Sequence, residues 1–257
     1  MMILLSALTV YKKTGQQDPV HDSVVRHEVV PISPGLANGV LDGMESMLKS
    51  MTRSADKVHM VRYADDFVIT GSSKELLENR IKPAVMIFLR ERGLTLSEEK
   101  TAIVSISQGF DFLGFSIRKY GRKLLIKPAK SSIKSFLDVI RKEIKAGVTL
   151  PTAALIGLLN RKITGWVNYY RHVVAKAVFS KIDTAIFWAL YRMIRRKHGK
   201  KSKRWLYRKY YGNRGLRRWI FHAIWRTKNG EVRNISLKLS STAGGCRVRN
   251  LSGFVKA

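Results

Sequence analysis

The apolar residues of this chain change period at Pro128, and that change divides what its two halves can fold into. From Pro128 on they recur at helical spacing. Ile133, Phe136/Leu137, Ile140 and Ile144 form one stripe, with Gly147 placed to end it. Leu155, Leu158/Leu159 and Ile163 form a second stripe leading to Trp166, Tyr169 and Tyr170, with Thr149 as its cap and Pro151 at its start. A third runs from about Ala175 through Val178/Phe179, Ile182, Ile186, Ala189/Leu190, Met193 and Ile194. Three amphipathic helices with short connections predict an α-helical bundle. Its aromatic residues fall on the stripes, so they are expected in the core rather than on base-stacking surfaces.

Upstream of Pro128 the pattern is that of short strands. Val58-His59-Met60-Val61-Arg62 and Phe67-Val68-Ile69-Thr70-Gly71 are rich in β-branched and aromatic residues and flank Tyr63-Ala64-Asp65-Asp66, which predicts a hairpin with the acidic pair at its turn. From Ser72 to Gly93 the spacing is helical, with Ser72 and Glu75 as a capping box and Leu77, Ile81, Ala84/Val85 and Phe88 as the stripe; Pro83 conflicts with it and predicts a kink. A second hairpin is predicted from Phe112–Ile117 and Leu124–Ile126, around Tyr120-Gly121. Residues 1–29 show no sustained period and read as a lead-in. Strands with a packed helix, followed by a helical bundle, make the fold class α+β.

Charge divides the chain at nearly the same place. The formal net charge is +30 over 257 residues, with 13 Lys and Arg against 14 Asp and Glu up to Phe115, and 35 against 4 from Ser116 on. Such a half repels itself in low salt unless a polyanion lies against it, which points to nucleic acid. A solvated basic face or an anionic membrane surface is the competing explanation. The most basic stretch holds Arg192, Arg195, Arg196, Lys197, Lys200, Lys201, Lys203, Arg204, Arg208, Lys209, Arg214, Arg217 and Arg218, interleaved with Trp205, Tyr207, Tyr210, Tyr211 and Trp219. Cations neutralise phosphates and exposed rings stack on unpaired bases, as in proteins that hold single-stranded or irregular RNA. After Trp225 the chain is punctuated by Gly and Ser and short-stranded at best. The single cysteine, Cys246, excludes a disulfide framework and suits a reducing compartment, a bacterial cytoplasm or an organelle. The apolar start, Met1 to Val10, lacks a basic leader and is too short to span a membrane.

Adjacent carboxylates at a turn repel each other, and a cation offsets the repulsion. Two Mg²⁺ ions about 3.5–4 Å apart are the solution of nucleotidyl-transfer sites. For the pair taken alone, a solvent-exposed Asp-rich turn is the better explanation, since turn chemistry suffices.

The surroundings decide between these. Tyr63-Ala64-Asp65-Asp66, with Ser33-Pro34-Gly35-Leu36-Ala37-Asn38 and Leu41-Asp42-Gly43-Met44-Glu45 upstream, resembles the group II intron reverse transcriptase/maturases. Downstream, Gly93-Leu94-Thr95-Leu96-Ser97-Glu98-Glu99-Lys100-Thr101 and Phe110-Asp111-Phe112-Leu113-Gly114-Phe115 are similar to that family's next two blocks. Gly165-Trp166-Val167-Asn168-Tyr169-Tyr170 resembles its maturase-specific thumb. The motifs run in order from about Val30 to about Trp225.

The resemblance implies a partial reverse-transcriptase palm over residues 30–128, of antiparallel hairpins with packed helices. It implies a thumb or maturase helical domain over 129–200 and a basic nucleic-acid-binding region over 201–257, which lacks an HNH endonuclease cluster. It implies RNA-directed DNA polymerase chemistry with Mg²⁺ on Asp65 and Asp66, Tyr63 and Ala64 near the primer end, and Lys100 near the triphosphate. A solvated surface role for Lys100 is as good a reading. The implied partners are group II intron RNA, a DNA primer or target and dNTP, with no membrane; a complementing N-terminal chain is an open possibility. The family's principal partner Asp comes from an upstream strand, and His27-Glu28-Val29-Val30 stands where the family has Pro-Gln-Gly-Gly. The expectation is therefore an N-terminally truncated or remodelled member, inactive as a polymerase in isolation. A non-enzymatic RNA-binding splicing cofactor, or a degenerate frame without a selected role, are the alternatives.

Overall fold

A computed structural model describes residues 1–10, 39–97, 101–214, 217–226 and 230–242. The chain divides into two compact units, Met1–Phe110 and Asp111–Ala257. Antiparallel sheets and helices occur in both, in agreement with the mixed class expected. No helix among the described residues is long and apolar enough to cross a membrane.

The first unit is built on five strands: β1 (Met2–Val10), β2 (His59–Tyr63), β3 (Asp66–Gly71), β4 (Leu94–Leu96) and β5 (Ala102–Ser105). β2 and β3 form the expected hairpin, in register from His59↔Thr70 to Tyr63↔Asp66. β1 lies antiparallel on the other side of β3, from Met2↔Gly71 to Ala7↔Asp66. Its far edge pairs with β5 over Met2–Leu5 and with β4 over Leu8–Val10. Residues 2–10, expected within an aperiodic lead-in, thus form a central strand of the sheet. Their run is almost continuously apolar and lacks the two-residue alternation by which a half-buried strand is recognised. Residues 11–29 and the Ser33–Asn38 segment lie outside the described residues.

Helices cover this sheet. α1 (Met44–Ser50) buries Met44 and Leu48 against Phe67 and Ile69 of β3. The predicted helix after β3 comes in three parts: α2 (Lys74–Leu76), a π-helical turn (Leu77–Ile81) and α3 (Lys82–Arg90). Its cap is Ser73, whose Oγ accepts from the Leu76 N–H at 3.2 Å, and not the expected Ser72 with Glu75. Pro83 stands in the first turn of α3, directly after the widened π turn. The widened turn, in which the Lys82 N–H bonds the Leu77 carbonyl five residues back, gives the ring room, so the conflict is met by a change of helix type. Leu77, Ile81, Val85 and Phe88 are buried as the stripe predicts. Gly93, at φ +70°, ends the helix with its N–H on the Arg90 carbonyl.

The second unit starts with a three-stranded sheet, β6 (Phe110–Phe112), β7 (Phe115–Tyr120) and β8 (Lys123–Pro128), in that order. The β7–β8 hairpin turns at Gly121-Arg122 and runs from Tyr120↔Lys123 to Phe115↔Pro128. The sequence reading sets these strands with the palm, whereas here they pack with the helices that follow. α4 (Lys130–Ala146), α5 (Thr152–Tyr170) and α6 (Lys176–Lys197) bury the three predicted stripes, including Ile140, Leu159, Ile163, Ile182, Leu190 and Ile194. Gly147 caps α4, its N–H 2.8 Å from the Glu143 carbonyl. Thr149 does not cap α5. Pro151 holds the cap position in an extended conformation and makes no side-chain cap, and Thr149 lies two residues too early to reach the helix N–H groups. Trp166 packs half-buried against the core between the rings of Phe136 and Tyr170, at 4.8 and 4.5 Å, and Tyr170 is buried, whereas Tyr169, expected in the core, is 49% exposed.

α7 (Lys203–Tyr210) follows, with the Ser202 hydroxyl accepting from the Trp205 N–H. A sheet of β9 (Tyr211–Arg214), β10 (Arg217–Arg226) and β11 (Val232–Ser236), with β10 in the middle, completes the unit. β10 alone has ten residues, so the segment around Trp225 is more regular than its composition suggests. One apolar core runs from Phe136 to Leu237 through all of these elements.

Candidate functional site

The acidic turn is the tightest connection in the first sheet. Ala64 and Asp65 alone separate Tyr63 from Asp66, and Ala64 takes φ +52°, a left-handed conformation that a non-glycine residue adopts at some cost. This geometry puts Asp65 on the exposed tip and Asp66 at the start of β3, half covered. Tyr63 is 65% exposed at the end of β2. Lys100 lies outside the described residues.

Two carboxylates on one turn would supply only a part of a two-metal site. Such a site draws ligands from more than one chain segment. The neighbouring strand β1 reads Met-Ile-Leu-Leu-Ser-Ala-Leu-Thr-Val, with Ala7 directly opposite Asp66. β2, β4 and β5 carry no acid either. Among the described residues no three His, Cys, Asp or Glu side chains gather as a metal would require. The described residues do not by themselves assemble the ligands of a metal pair.

The basic stretch forms the end of α6, the following loop, and α7. Arg192, Arg195, Arg196 and Lys197 project from α6, Lys200 and Lys201 from the loop, and Lys203, Arg204, Arg208 and Lys209 from α7; all are exposed. Arg217 and Arg218 start β10, and Arg218 is exposed. The interleaved aromatics divide differently from the expectation of exposed stacking rings. Tyr210 and Tyr211 are buried, Trp205 and Tyr207 are half-buried, and Trp219 stands 54% exposed at a bulge of β10 with φ +63°. The buried rings face inward because α7 is amphipathic: Leu206 and Tyr210 enter the core while the cations point away. The Lys209 ammonium lies 4.8 Å from the Trp205 ring and 5.6 Å from that of Tyr210.

Three features of this unit have no distinct sequence signal. His198, which ends α6, lies 2.6 Å from the Tyr210 hydroxyl through its Nε2. Burial, then the nearby Lys209, Lys197 and Lys201, holds the imidazole below its ordinary pKa. Burial and the neighbouring tyrosines raise the Tyr211 phenol above its usual range. Third, every acid from Ser116 on is committed within the unit. Asp138 pairs with Arg141 at 2.8 Å, Glu143 with Lys162 at 3.2 Å, and Glu231 with Arg233 at 3.2 Å. Asp183 accepts from the Ser240 and Ser241 N–H groups at 2.7 and 3.0 Å and from the Ser241 hydroxyl at 2.5 Å. A surplus of cations remains on the surface.

The block Phe110–Phe115 and the block Gly165–Tyr170, far apart in sequence, meet in this unit. The Tyr169 and Tyr170 hydroxyls donate to the carbonyls of Leu113 and Gly114, at 3.0 and 3.1 Å, and Phe115 lies 5.1 Å from both rings.

Residues 30–117 match the family model of the reverse transcriptase (RNA-dependent DNA polymerase), and residues 133–211 match that of the group II intron maturase-specific domain. A curated relative, the ribosomal operon-associated A protein of Euglena longa, is 28% identical over 157 residues, which are 60% of this chain and 28% of that protein. A solved structure of telomerase from Candida albicans, in complex with a fragment of telomeric RNA, aligns at 14% identity with a TM-score of 0.31, covering 63% of this chain and 28% of that one. With a reverse-transcriptase match followed in order by a maturase-specific match, the chain belongs to the group II intron reverse transcriptase/maturase family.

Proposed function

We propose that this chain binds group II intron RNA through the cation-rich surface of its second unit and acts in splicing or mobility of that RNA. The observation that carries the reading is the internal commitment of Asp138, Glu143, Asp183 and Glu231, which leaves the cations of α6 and α7 facing outward without a carboxylate of that half to offset them. Such a surface is suited to phosphate, and the family's partner is RNA. In this reading the first unit corresponds to a palm and the helices α4 to α6 to a thumb.

A second reading, RNA-directed DNA synthesis from a DNA primer and dNTP, is favoured by the exposed Tyr63–Asp66 turn, whose carboxylates suit the Mg²⁺ that the family generally uses. We rank it second because β1 brings Ala7, not an acid, beside Asp66. Primer extension on an RNA template with Mg²⁺, beside an Asp65→Ala control, separates the two. The expected result is no Asp65-dependent synthesis by this chain alone, together with retention of structured intron RNA in a filter-binding assay. Asp65-dependent synthesis would reverse the ranking, and absence of RNA retention would defeat the first reading.

A further inference from the structure

We propose that the outer face of the β9–β10–β11 sheet is a cleft for one unpaired RNA nucleotide, recognised by neutral amide and imidazole groups inside a field of positive charge. The proposal rests on RNA binding by this unit and adds a place and a mode of recognition. The cleft measures about 610 Å³ and is lined by Asn160 of α5, Asn213 of β9, His222 of β10, Asn234 and Ser236 of β11, and Lys238. That volume lies in the usual range for a small-ligand pocket, roughly 300–1,000 Å³.

Strand register explains why His222, Asn234 and Ser236 share a face; Asn213, next to Gly212, joins the lining near the end of β9. β10 alternates: Phe221 and Ala223 pack in the core, while His222 and Ile224 lie on the other face with Ile220, which lines the cleft and is itself buried. The residues opposite them, Gly212, Ser236 and Asn234, share that outer face. The imidazole lies close against Gly212, where a Cβ would stand 3.1 Å from the His222 ring and press it back by a few tenths of an ångström. The wall opposite is fixed by Asn160, whose Nδ2 donates to the Ser236 carbonyl at 3.0 Å and whose Oδ1 accepts from the Lys238 N–H at 2.7 Å. Lys238 closes one end, its ammonium 3.3 Å from the Thr164 hydroxyl.

The chemistry of the lining selects the ligand. No carboxylate lines the cleft, so an anion is not repelled, and a single cation is present. The other polar groups are neutral. Asn213 and Asn234 are exposed, and no described hydrogen bond engages either side-chain amide. His222 Nδ1 is buried without a hydrogen-bond partner among the described residues. Amides that offer a donor and an acceptor side by side match the edge of a nucleobase, and a lone ammonium at the rim matches its phosphate. In an RNA duplex the Watson–Crick edges are paired and the major-groove edges lie in a groove too deep and narrow for side chains, so an unpaired base presents them far better. The cleft lies almost wholly beyond Tyr211, where the maturase-specific match ends.

The test uses the whole chain, a fluorescein-labelled single-stranded RNA and a blunt duplex of the same sequence, followed by fluorescence anisotropy. Replacing both Asn213→Ala and Asn234→Ala, at exposed positions that leave the core intact, is expected to weaken binding to the unpaired RNA by about tenfold and to leave duplex binding unchanged. His222→Gln is expected to act in the same direction. Photocrosslinking of 4-thiouridine RNA to the unaltered chain is expected to label β10 or β11. Unchanged affinity for unpaired RNA, an equal loss on the duplex, or crosslinks confined to α6 and α7 would overturn the cleft while leaving RNA binding by the unit in place. No binding of either RNA by the unaltered chain would instead defeat the broader reading.

Discussion

Asp65 and Asp66 are sequence neighbours with different surroundings: one on the exposed tip of a two-residue turn, the other at the head of a central strand. Both were legible as an acidic turn because β-branched residues flank them. That Ala7 lies opposite Asp66 was not, since a strand pairing depends on a partner more than fifty residues away. Gly114 carries the sharpest single-residue prediction. It holds φ +78°, and a Cβ there would stand 2.7 Å from the Tyr170 hydroxyl oxygen and 2.8 Å from that of Ser132. Gly114→Ala therefore combines left-handed strain with a steric conflict against a buried aromatic. It is expected to cost about 2 kcal/mol or more. Thermal unfolding checks this, with a fall of several degrees expected. The neighbouring Gly121→Ala, also at positive φ but with open space around the site, should cost less.

At the level of elements, the three long helices were legible to within a few residues, because a stripe at 3.6-residue spacing is a local property. Helix starts were less so. Ser73 and Pro151 took the places expected for Ser72 and Thr149: the Ser73 hydroxyl reaches the first free N–H groups, and Pro151 begins its helix by its fixed φ with no side-chain cap. The junction of α6 and α7 yields a pH prediction. His198 is held below its ordinary pKa of 6.5 by burial first and then by Lys209, Lys197 and Lys201, so the unfolded chain binds its proton more readily than the folded one. The neutral ring's contribution to stability is present above about pH 6.5 and is lost as pH falls through the lowered folded value. Wild type is therefore expected to lose thermal stability between pH 7.5 and 5.5 more steeply than His198→Gln, as followed by circular dichroism. Equal slopes would mean that the imidazole does not carry the effect.

For the whole molecule, the relevant quantity is the contrast between 13 basic and 14 acidic residues up to Phe115 and 35 and 4 after it. If the surface of the second unit contacts six or more phosphates, affinity for intron RNA should fall by roughly 10³-fold between 50 and 200 mM salt. Titration at several salt concentrations measures this, and a flat profile would show that the charge does not make the contact. By itself the sequence determined the α+β class, the hairpin that carries the acidic pair, the three helical stripes, the family and the sign of the surface, because each of these is written in local spacing or in composition. Long-range packing set Met2–Val10 in the sheet beside β3, buried Tyr210 and Tyr211 but not Trp219, used all four acids of the basic half internally, and tied Asn160 to the last sheet beside a cleft. Those facts depend on which distant segments pack together, and packing is settled by the joint burial of surfaces that no single window of sequence contains.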